Sequence, residues 1–216
     1  MIKKYTGSEK FIMNDKELPY SMTDFWSWTL SCIHDSMTRG SFAEHIVKIA
    51  LDNAGYNYND EPKTGMELYD LDGPVIPATG KESHIEVKHT GYFRYNPHID
   101  DYIETKYQRF SIEKKHVPDK MGDFSEESIA QRNNDIYVFA VYTAKDKTQN
   151  IFDLSLWDFY VMPTFQLDQD SYWSNCKSIS LKSVQKMCEK CDFNSLPGRI
   201  AAACEQIIEE KNDNRV

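Results

Sequence analysis

The sequence predicts an α/β fold in which a mixed central β-sheet of about four to six strands is flanked by helices. Three observations support this class. Residues 135–143 form an almost uninterrupted apolar run, which is typical of a central strand covered on both faces. Thirteen Tyr and eleven Phe favour strands over a purely helical bundle. The predicted order is a helix, two or three strands, a mixed segment, two strands and further helices, which describes a layered α/β domain.

The 216 residues fit a single domain, 1–216, with a core at about 39–165, an N-terminal helix and helical additions at the C-terminal end. Hydrophobic residues make up 40% of the chain, which is enough to bury a packed core. The sequence shows no internal repeat, no low-complexity segment and no linker that would divide it into two domains.

Two helices are predicted before the first strand of the sheet. Phe25–Ile33 is rich in aromatic and aliphatic residues and indicates a buried helix. Arg39–Gly40 interrupts this pattern, and Ser41 with Glu44 three positions later fits a capping box that begins the second helix. Apolar residues then keep helical spacing until Gly55, which is a typical C-terminal stop.

A hairpin is predicted next. Met66–Asp72 alternates apolar and polar residues like a strand, and Gly73–Pro74 and Thr79–Gly80 indicate turns. Pro74–Ala78 is then a short strand or one arm of a hairpin. His84–Lys88 is a further strand, on which the odd-numbered residues share one face and the even-numbered residues share the other.

The second half of the chain alternates clear and unclear signals. Residues 92–130 are polar and aromatic, and only Phe110 and Ile112 indicate a short strand there. The remaining predicted elements are a strand over Trp157–Met162 that Pro163 ends, a helix over Lys182–Cys191 and a helix over Pro197–Lys211.

The net charge of −9, from 34 acidic and 25 basic residues, argues against a protein that coats nucleic acid through bulk positive charge. An enzyme that contacts nucleic acid locally and uses metal ions to offset phosphate charge stays open. No apolar run approaches the roughly 18 residues of a membrane-spanning helix, and the first ten residues lack the apolar core of a signal peptide. We therefore expect a cytoplasmic protein with no membrane partner, whose five cysteines stay reduced.

Cys188 and Cys191 form a single CxxC motif. A zinc site needs two further ligands, which Cys176, Cys204 or a histidine would have to supply through the fold. The motif alone therefore does not predict a zinc site.

The most informative pattern is Asp70 followed, sixteen positions later, by Glu86-Val87-Lys88. Phosphodiester hydrolysis needs a cation to neutralise charge on the phosphate and a water in line with the leaving oxygen. Carboxylates on two adjacent strands can hold Mg²⁺, because this ion keeps several of its waters. Glu86 and Lys88 share one face of their strand, Val87 offers its backbone carbonyl to the same ion, and the Lys88 ammonium can orient the water or stabilise developing charge. The alternative is an exposed Glu/Lys pair on a solvated strand face.

Three segments in this order resemble the PD-(D/E)XK superfamily of restriction-endonuclease-like proteins: Arg39-Gly40-Ser41-Phe42-Ala43-Glu44, Tyr69-Asp70 and Ile85-Glu86-Val87-Lys88. Segments 135–140, 153–164 and 177–181 resemble a bacterial branch of that superfamily, so that the similarity spans roughly residues 39–200.

The resemblance implies a four-stranded mixed sheet flanked by helices, and cleavage of nucleic acid that depends on a divalent metal. Asp70 and Glu86 would be metal ligands together with the Val87 carbonyl, and Lys88 would position the attacking water. Mg²⁺ is the expected ion, and Mn²⁺ is expected to replace it. Glu44 would be an accessory acid that binds metal through water or supports a second ion; the alternative is that it only caps its helix.

The chain departs from the family pattern at three places. Tyr69 stands where the family name has proline, before Asp70. Asp72 shares a face with Asp70 and is an alternative metal ligand. His89–Thr90 replace two small hydroxyl residues, and 94–106 is an apparent insertion. These departures bear on the substrate more than on the metal chemistry.

Other candidates lie close to this motif in the sequence. Four basic residues interleaved with aromatic ones form a candidate nucleic-acid contact, or else a solvated face. They are Lys106, Arg109, Lys114 and Lys115, and the aromatic residues are Tyr102, Tyr107 and Phe110. His84, His89 and His98 are candidates for a second metal or a general base, although such histidines are more often structural.

The sequence thus favours a metal-dependent nuclease, a phosphodiesterase that acts on DNA as an endonuclease, and the resemblance suggests a role in restriction or anti-phage defence. One alternative is a binding or scaffolding module that has kept the fold and lost the chemistry, and another is a nuclease that acts on RNA. The expected partners are a nucleic acid and, in addition, a second copy of this chain or a partner subunit.

Overall fold

The computed structural model describes residues 2–63, 67–116 and 130–208. The strands are β1 (Lys10–Met13), β2 (Lys16–Ser21), β3 (Leu71–Ile76), β4 (Lys81–Gly91), β5 (Phe93–Asn96), β6 (Asp101–Glu104), β7 (Arg109–Ser111), β8 (Ile136–Tyr142), β9 (Trp157–Pro163), β10 (Ser178–Ser180) and β11 (Lys190–Cys191). The helices are α1 (Met22–Leu30), α2 (Ser36–Asn53), α3 (Phe165–Asp168), α4 (Leu181–Met187) and α5 (Leu196–Cys204).

The central sheet has five strands in the order β11-β9-β8-β4-β3. The pair β4–β8 is parallel and the other three pairs are antiparallel, so the predicted mixed α/β sheet is confirmed. The apolar run of the sequence is β8, whose seven residues are all buried and which lies between β4 and β9. This central position explains why β8 lacks the alternation of a half-exposed strand.

Both faces of the sheet are covered. On one face α2 and α5 pack against apolar residues of β3, β4 and β8, including Ile85 and Val87. On the other face the β7–β10 ribbon, α3 and α4 pack against β8 and β9 around Phe139 and Met162. The sheet therefore separates two apolar cores.

Helix α2 begins earlier than the sequence predicted. Asp35 is its N-cap and accepts a hydrogen bond from the Met37 N–H at 2.9 Å, so the expected capping box of Ser41 and Glu44 is wrong. Arg39 does not interrupt the helix, because its side chain is buried and donates to Phe93 O at 2.6 Å. The predicted end is confirmed at Gly55, which adopts the positive φ of +89° that favours glycine after a helix.

Replacing Asp35 by alanine is expected to lower the free energy of unfolding by about 1 kcal/mol, because the first turn of α2 loses its side-chain acceptor. Urea unfolding followed by circular dichroism measures this. Ser41→Ala is the matched control, because Ser41 lies inside the helix and caps nothing. An equal loss in the Ser41 variant would contradict the observed start of α2.

The hairpin also differs from its prediction. The first strand begins at Leu71 and continues through Gly73–Pro74, which the sequence indicated as a turn, while the predicted start at Met66 lies outside the described residues. Pro74 is compatible with a strand here because β3 is an edge strand of the sheet. A Cβ on Gly73 would lie only 2.5 Å from Ile85 Cδ1, so close packing requires glycine at this position.

Residues 2–31, which comprise β1, β2 and α1, form a unit that we call the N-terminal arm. The sequence predicted a buried helix over Phe25–Ile33, but α1 spans Met22–Leu30 and buries none of its residues. Trp28 is 84% exposed. The prediction failed because aromatic residues indicate a buried helix only when another element covers them.

Several shorter elements also differ from the sequence prediction. The β1–β2 and β5–β6 hairpins were not predicted, although the short strand near Phe110 is confirmed as β7. The predicted helix over Lys182–Cys191 is α4 followed by the strand β11, and α5 ends at Cys204. The end of the predicted last helix, 209–211, lies outside the described residues. Among the residues that the structure describes, no helix is both long and apolar enough to cross a membrane.

Candidate functional site

Asp70 lies where β3 and β4 begin to pair. Its N–H donates to Ile85 O at 2.9 Å, and its Oδ2 accepts from the Val87 N–H at 2.8 Å. Both backbone groups of one strand residue point to the same side, so the Val87 carbonyl faces the edge at which the Asp70 carboxylate lies. Asp70 therefore contacts the Val87 backbone through the Val87 N–H, and Asp70 precedes the strand instead of lying within it as the sequence predicted.

Glu86 and Lys88 project from the opposite face of β4 to Val87. Glu86 pairs in register with Tyr137, which belongs to the core on the β7 side, and only 5% of Glu86 is exposed. The Lys88 ammonium donates to Glu86 Oε1, and Lys115 Nζ lies 3.2 Å from the same oxygen. A nearly buried carboxylate is thus neutralised by two lysines, since an unpaired buried charge would cost several kcal/mol.

Glu44 approaches the site from the middle of α2. Lys63, in the loop before β3, donates to Glu44 Oε2 at 2.5 Å and to Asp70 Oδ1 at 2.8 Å, so its ammonium lies between the two carboxylates. Burial and the neighbouring Asp70 carboxylate raise the pKa of Glu44, and the hydrogen bond from Lys63 opposes this effect. Glu44 lies in the middle of α2 and does not cap it, so the alternative that Glu44 only caps its helix is wrong.

The group formed by Glu44, Lys63 and Asp70 interacts electrostatically with the group formed by Glu86 and Lys88. The Lys88 ammonium is close enough to Glu44 to lower the pKa of that carboxyl, so charges alternate from Lys63 through Glu44 to Lys88 and Glu86. Burial disfavours the charged form of Lys63, yet its hydrogen bonds to Asp70 and Glu44 outweigh that cost and raise its pKa. The result is a group of carboxylates held by lysines beside the part of β4 that follows its pairing with β3.

Replacing Lys63 by alanine is expected to raise the pKa of the Glu44 carboxyl further, because the hydrogen bond and charge that now lower it are removed. The carboxyl would then take up its proton at a higher pH than in the wild type. A ¹³C NMR titration of the glutamate carboxyl resonances measures the change. Lys48→Ala is the control, since Lys48 pairs with Asp52 on the same helix; equal shifts in both variants would contradict the Lys63 contact.

A cleft of about 1000 Å³ opens on the Asp70 side of the site. Its walls come from the N-terminal arm, from α2 and from the loop that carries Lys63. The lining residues that offer stacking or positive charge are Lys3, Lys4, Tyr5, Trp26, His45 and Tyr58. A narrower crevice on the other side is lined by Glu86, Lys88 and Lys115. Leu68 lies between the cleft and the crevice, since it lines both.

Asp72, the alternative ligand, lines the same cleft as Asp70 but has different partners. Its backbone exchanges two hydrogen bonds with the Asn59 side chain, at 2.7 and 2.8 Å. Burial and a hydrogen bond to Asp72 raise the pKa of Tyr69 to about 12, so the Asp72 carboxylate is engaged by the Tyr69 hydroxyl. The geometry therefore brings Asp70, and not Asp72, to Lys63 and the Val87 backbone.

The three candidate histidines lie around the site and do not enter it. His84 stacks on Tyr69 with ring centroids 3.9 Å apart. His89 is packed against Arg39, and burial together with that guanidinium lowers the pKa of His89 to about 4, which keeps the imidazole neutral. His98 is exposed in the turn between β5 and β6.

The predicted basic cluster is only partly brought to the site. Lys115 reaches Glu86, as described above, whereas Arg109 donates to Ser178 Oγ on the β7–β10 ribbon. Lys106 is exposed and Lys114 is half-buried. Of the interleaved aromatic residues, Phe110 is buried in the core and Tyr107 is 81% exposed.

Lys63 is the residue that the sequence analysis missed. It lies in a turn-rich stretch without periodicity, so no pattern indicated that its side chain would reach two carboxylates from elements on either side. Its proximity depends on the path of the loop, and the only local signal is a lysine close before Asp70 in the sequence.

The site contains the types of donor that magnesium prefers. Mg²⁺ needs only one or two protein carboxylates together with other oxygen atoms and water, and Asp70, Glu86 and the Val87 carbonyl supply such oxygens. The ammonium of Lys63 lies between two carboxylates, which marks this edge as a place where positive charge is stabilised. Within residues 2–63, 67–116 and 130–208, no three His, Cys, Asp or Glu side chains form a group that could hold an ion by themselves.

The CxxC motif lies away from this site, at the end of α4 and in β11. Burial and the nearby Cys191 raise the pKa of the Cys188 thiol to about 12, and burial raises the pKa of Cys191 to about 11. Among the described residues, no third Cys, His, Asp or Glu joins this pair in a group that could hold a metal ion.

Comparison with known proteins identified no relative of this chain. A scan against models of protein families, a search of curated proteins and a search of solved structures each found no match for this chain. The function must therefore be argued from the site itself.

Proposed function

We propose that this chain is a metal-dependent nuclease of the PD-(D/E)XK type. One observation carries the proposal: at the open edge of β4, the Asp70 carboxylate binds the backbone of Val87, whose two neighbours Glu86 and Lys88 form an ion pair on the other side of the strand. Two acids, a backbone carbonyl and a lysine, placed where β3 stops pairing with β4, are the groups that hydrolysis of a phosphodiester requires.

Each residue has a distinct role in this proposal. Asp70, Glu86 and the Val87 carbonyl would hold Mg²⁺ or Mn²⁺, which when bound neutralises phosphate charge and promotes ionisation of water. Lys88 donates its ammonium hydrogens to the attacking water or to the negative charge that develops on the phosphate. Val87 N–H fixes the orientation of the Asp70 carboxylate, because Oδ2 accepts its hydrogen.

Glu44 and Lys63 adjust the charge of the site. Glu44 is an accessory acid that faces Asp70 across the Lys63 ammonium. The Lys63 ammonium and a metal cation would repel each other at this position, so Lys63 would have to leave its place between the two carboxylates for the site to hold an ion. The exposed side of Lys63 faces the cleft, where the displaced ammonium can contact a phosphate of the substrate.

DNA is the proposed substrate and RNA is the alternative, and the cleavage assay described below distinguishes the two. The net charge of −9 opposes tight binding through bulk attraction, so affinity must come from local contacts and from the metal. We place the protein in the cytoplasm, in keeping with its free cysteines. A role in restriction or anti-phage defence rests on the sequence resemblance alone.

The test is a cleavage assay with purified protein, supercoiled plasmid DNA, single-stranded DNA and single-stranded RNA, each with Mg²⁺, Mn²⁺ or EDTA. We expect products in Mg²⁺ or Mn²⁺ and none in EDTA. A Glu86→Gln variant prepared in parallel excludes a contaminating nuclease, because it removes one proposed ligand charge and keeps the side-chain shape.

The same preparation is titrated with Mn²⁺ to separate a silent binding module from an enzyme. Metal binding without cleavage of any of the three substrates would favour the binding module of the same fold. A protein that neither binds Mn²⁺ nor cleaves any of the three substrates would contradict the proposed site. If only RNA is cleaved, RNA and not DNA is the substrate, and the proposed metal chemistry is unchanged.

A further inference from the structure

The N-terminal arm exposes a disproportionate share of the apolar surface. Nine of the nineteen large hydrophobic side chains that are exposed among the described residues belong to its thirty residues. They are Ile2, Tyr5, Phe11, Ile12, Met13, Tyr20, Phe25, Trp28 and Leu30. Scattered single residues of this kind are normal, but a cluster on one short segment marks an interaction surface.

The arm also lacks the internal packing that would hold it in place. All four residues of β1 are exposed, and α1, which is nine residues long, buries none of its own. A lone two-stranded hairpin is marginally stable in water, and so is an isolated helix of this length. Contacts from outside the chain would supply the missing burial.

We propose that the arm is a dimerisation surface and that its occupant is the arm of a second copy of this chain. Covering such a surface is sufficient for a stable pair. A fully exposed aromatic side chain presents about 150–250 Å², and on that scale the nine exposed fractions correspond to an area on the order of 900 Å² per copy. A standard protein interface buries about 800 Å² on each partner.

Charge favours a second copy over a strongly charged partner. The arm carries four Lys and four Asp or Glu, so its net charge is zero and the whole −9 of the chain lies outside it. Two copies would repel each other through almost any other surface. The neutral arm lets them approach, and burial of its apolar residues then supplies the free energy of association.

The hairpin has one edge that suits a twofold contact. Pro19 in β2 has no N–H to donate, which weakens the outer edge of that strand as a pairing site. The outer edge of β1 has no proline, and its four residues are exposed. Two β1 edges related by a twofold axis run antiparallel, so β1 can pair with its own copy and place Phe11 and Ile12 against the partner.

Sedimentation velocity over a range of protein concentrations tests this proposal. We expect the wild type to form a dimer, and Ile12→Glu or Trp28→Glu to raise the dissociation constant at least about thirtyfold, as for central residues of an interface. Ile208→Glu is the matched control, because Ile208 is 82% exposed and lies outside the arm. This control is expected to dimerise like the wild type.

Hydrogen exchange gives a second readout that does not depend on a variant. Amides of β1 in the wild type are expected to become more protected as the protein concentration rises through the dissociation constant. A wild type that stays monomeric at about 100 µM would overturn the proposal. So would a dimer that persists unchanged in both arm variants, since its contact would then lie elsewhere.

Discussion

Replacing Lys88 by alanine is expected to slow phosphodiester cleavage by roughly 10²–10⁴-fold, the range typical for loss of one proton-transfer or charge-stabilising group. Lys88 is the one proposed catalytic cation on β4, and its ammonium contacts Glu86 inside the site. Removing it leaves the nearly buried Glu86 with Lys115 as its partner, so the carboxylate stays paired and the fold is retained. Single-turnover rates on a labelled substrate measure the effect.

Lys115→Ala is the matched control for this variant. Lys115 contacts the same Glu86 oxygen, but its side chain is 58% exposed, and exposed ion pairs contribute about 0–1 kcal/mol. We expect the rate to fall less than about tenfold, in line with that range. If both lysine variants cleave at nearly the wild-type rate while each still binds Mn²⁺, the catalytic role of Lys88 is wrong.

Replacing Asp70 by asparagine is expected to weaken Mn²⁺ binding by at least about a hundredfold, because loss of second-shell partners alone costs 10–100-fold in other metal sites. Asparagine keeps the shape and can still accept the hydrogen of Val87 N–H, so the change removes charge with little change in structure. Cleavage at a fixed Mg²⁺ concentration should fall with metal affinity. Titration of Mn²⁺ by electron paramagnetic resonance measures the binding.

Asp72→Asn serves as the control and decides between the two aspartates. Asp72 engages Asn59 and Tyr69 and has no hydrogen bond to Lys63, so its loss should leave metal affinity within about threefold of the wild type, which is under 1 kcal/mol. The opposite pattern, with affinity lost only in the Asp72 variant, would transfer the ligand role to Asp72.

The parts of the fold that follow from local pattern could be predicted from sequence. Burial on both faces makes β8 uniformly apolar, and the core under α2 and α5 accounts for the apolar residues Ile85 and Val87 on one face of β4. The same alternation brings Glu86 and Lys88 together, and the β3–β4 hairpin brings Asp70 to the Val87 backbone. These are short-range consequences of strand geometry, and they make up the larger part of the candidate site.

Long-range contacts account for what could not be predicted. Arg39 continues α2 because its guanidinium finds acceptors at Phe93 and His89, more than forty residues later in the chain. Pro74 lies in a strand because that strand is at the sheet edge. Lys63 reaches Glu44 and Asp70 only through the path of its loop. None of these outcomes leaves a periodic signal in the sequence.

The position of β8 between two strands and two cores also determines how the site can open. Its amide hydrogens have no route to solvent short of global unfolding, and β4, which carries Glu86 and Lys88, is bonded directly to it. Lys63 and Asp70 lie instead in irregular chain at the margin of the sheet. Brief local opening there would separate Asp70 and Lys63 from Glu86 and Lys88, so under the proposed function a nucleic-acid strand could enter or leave while the sheet keeps Lys88, the proposed catalytic lysine, in place.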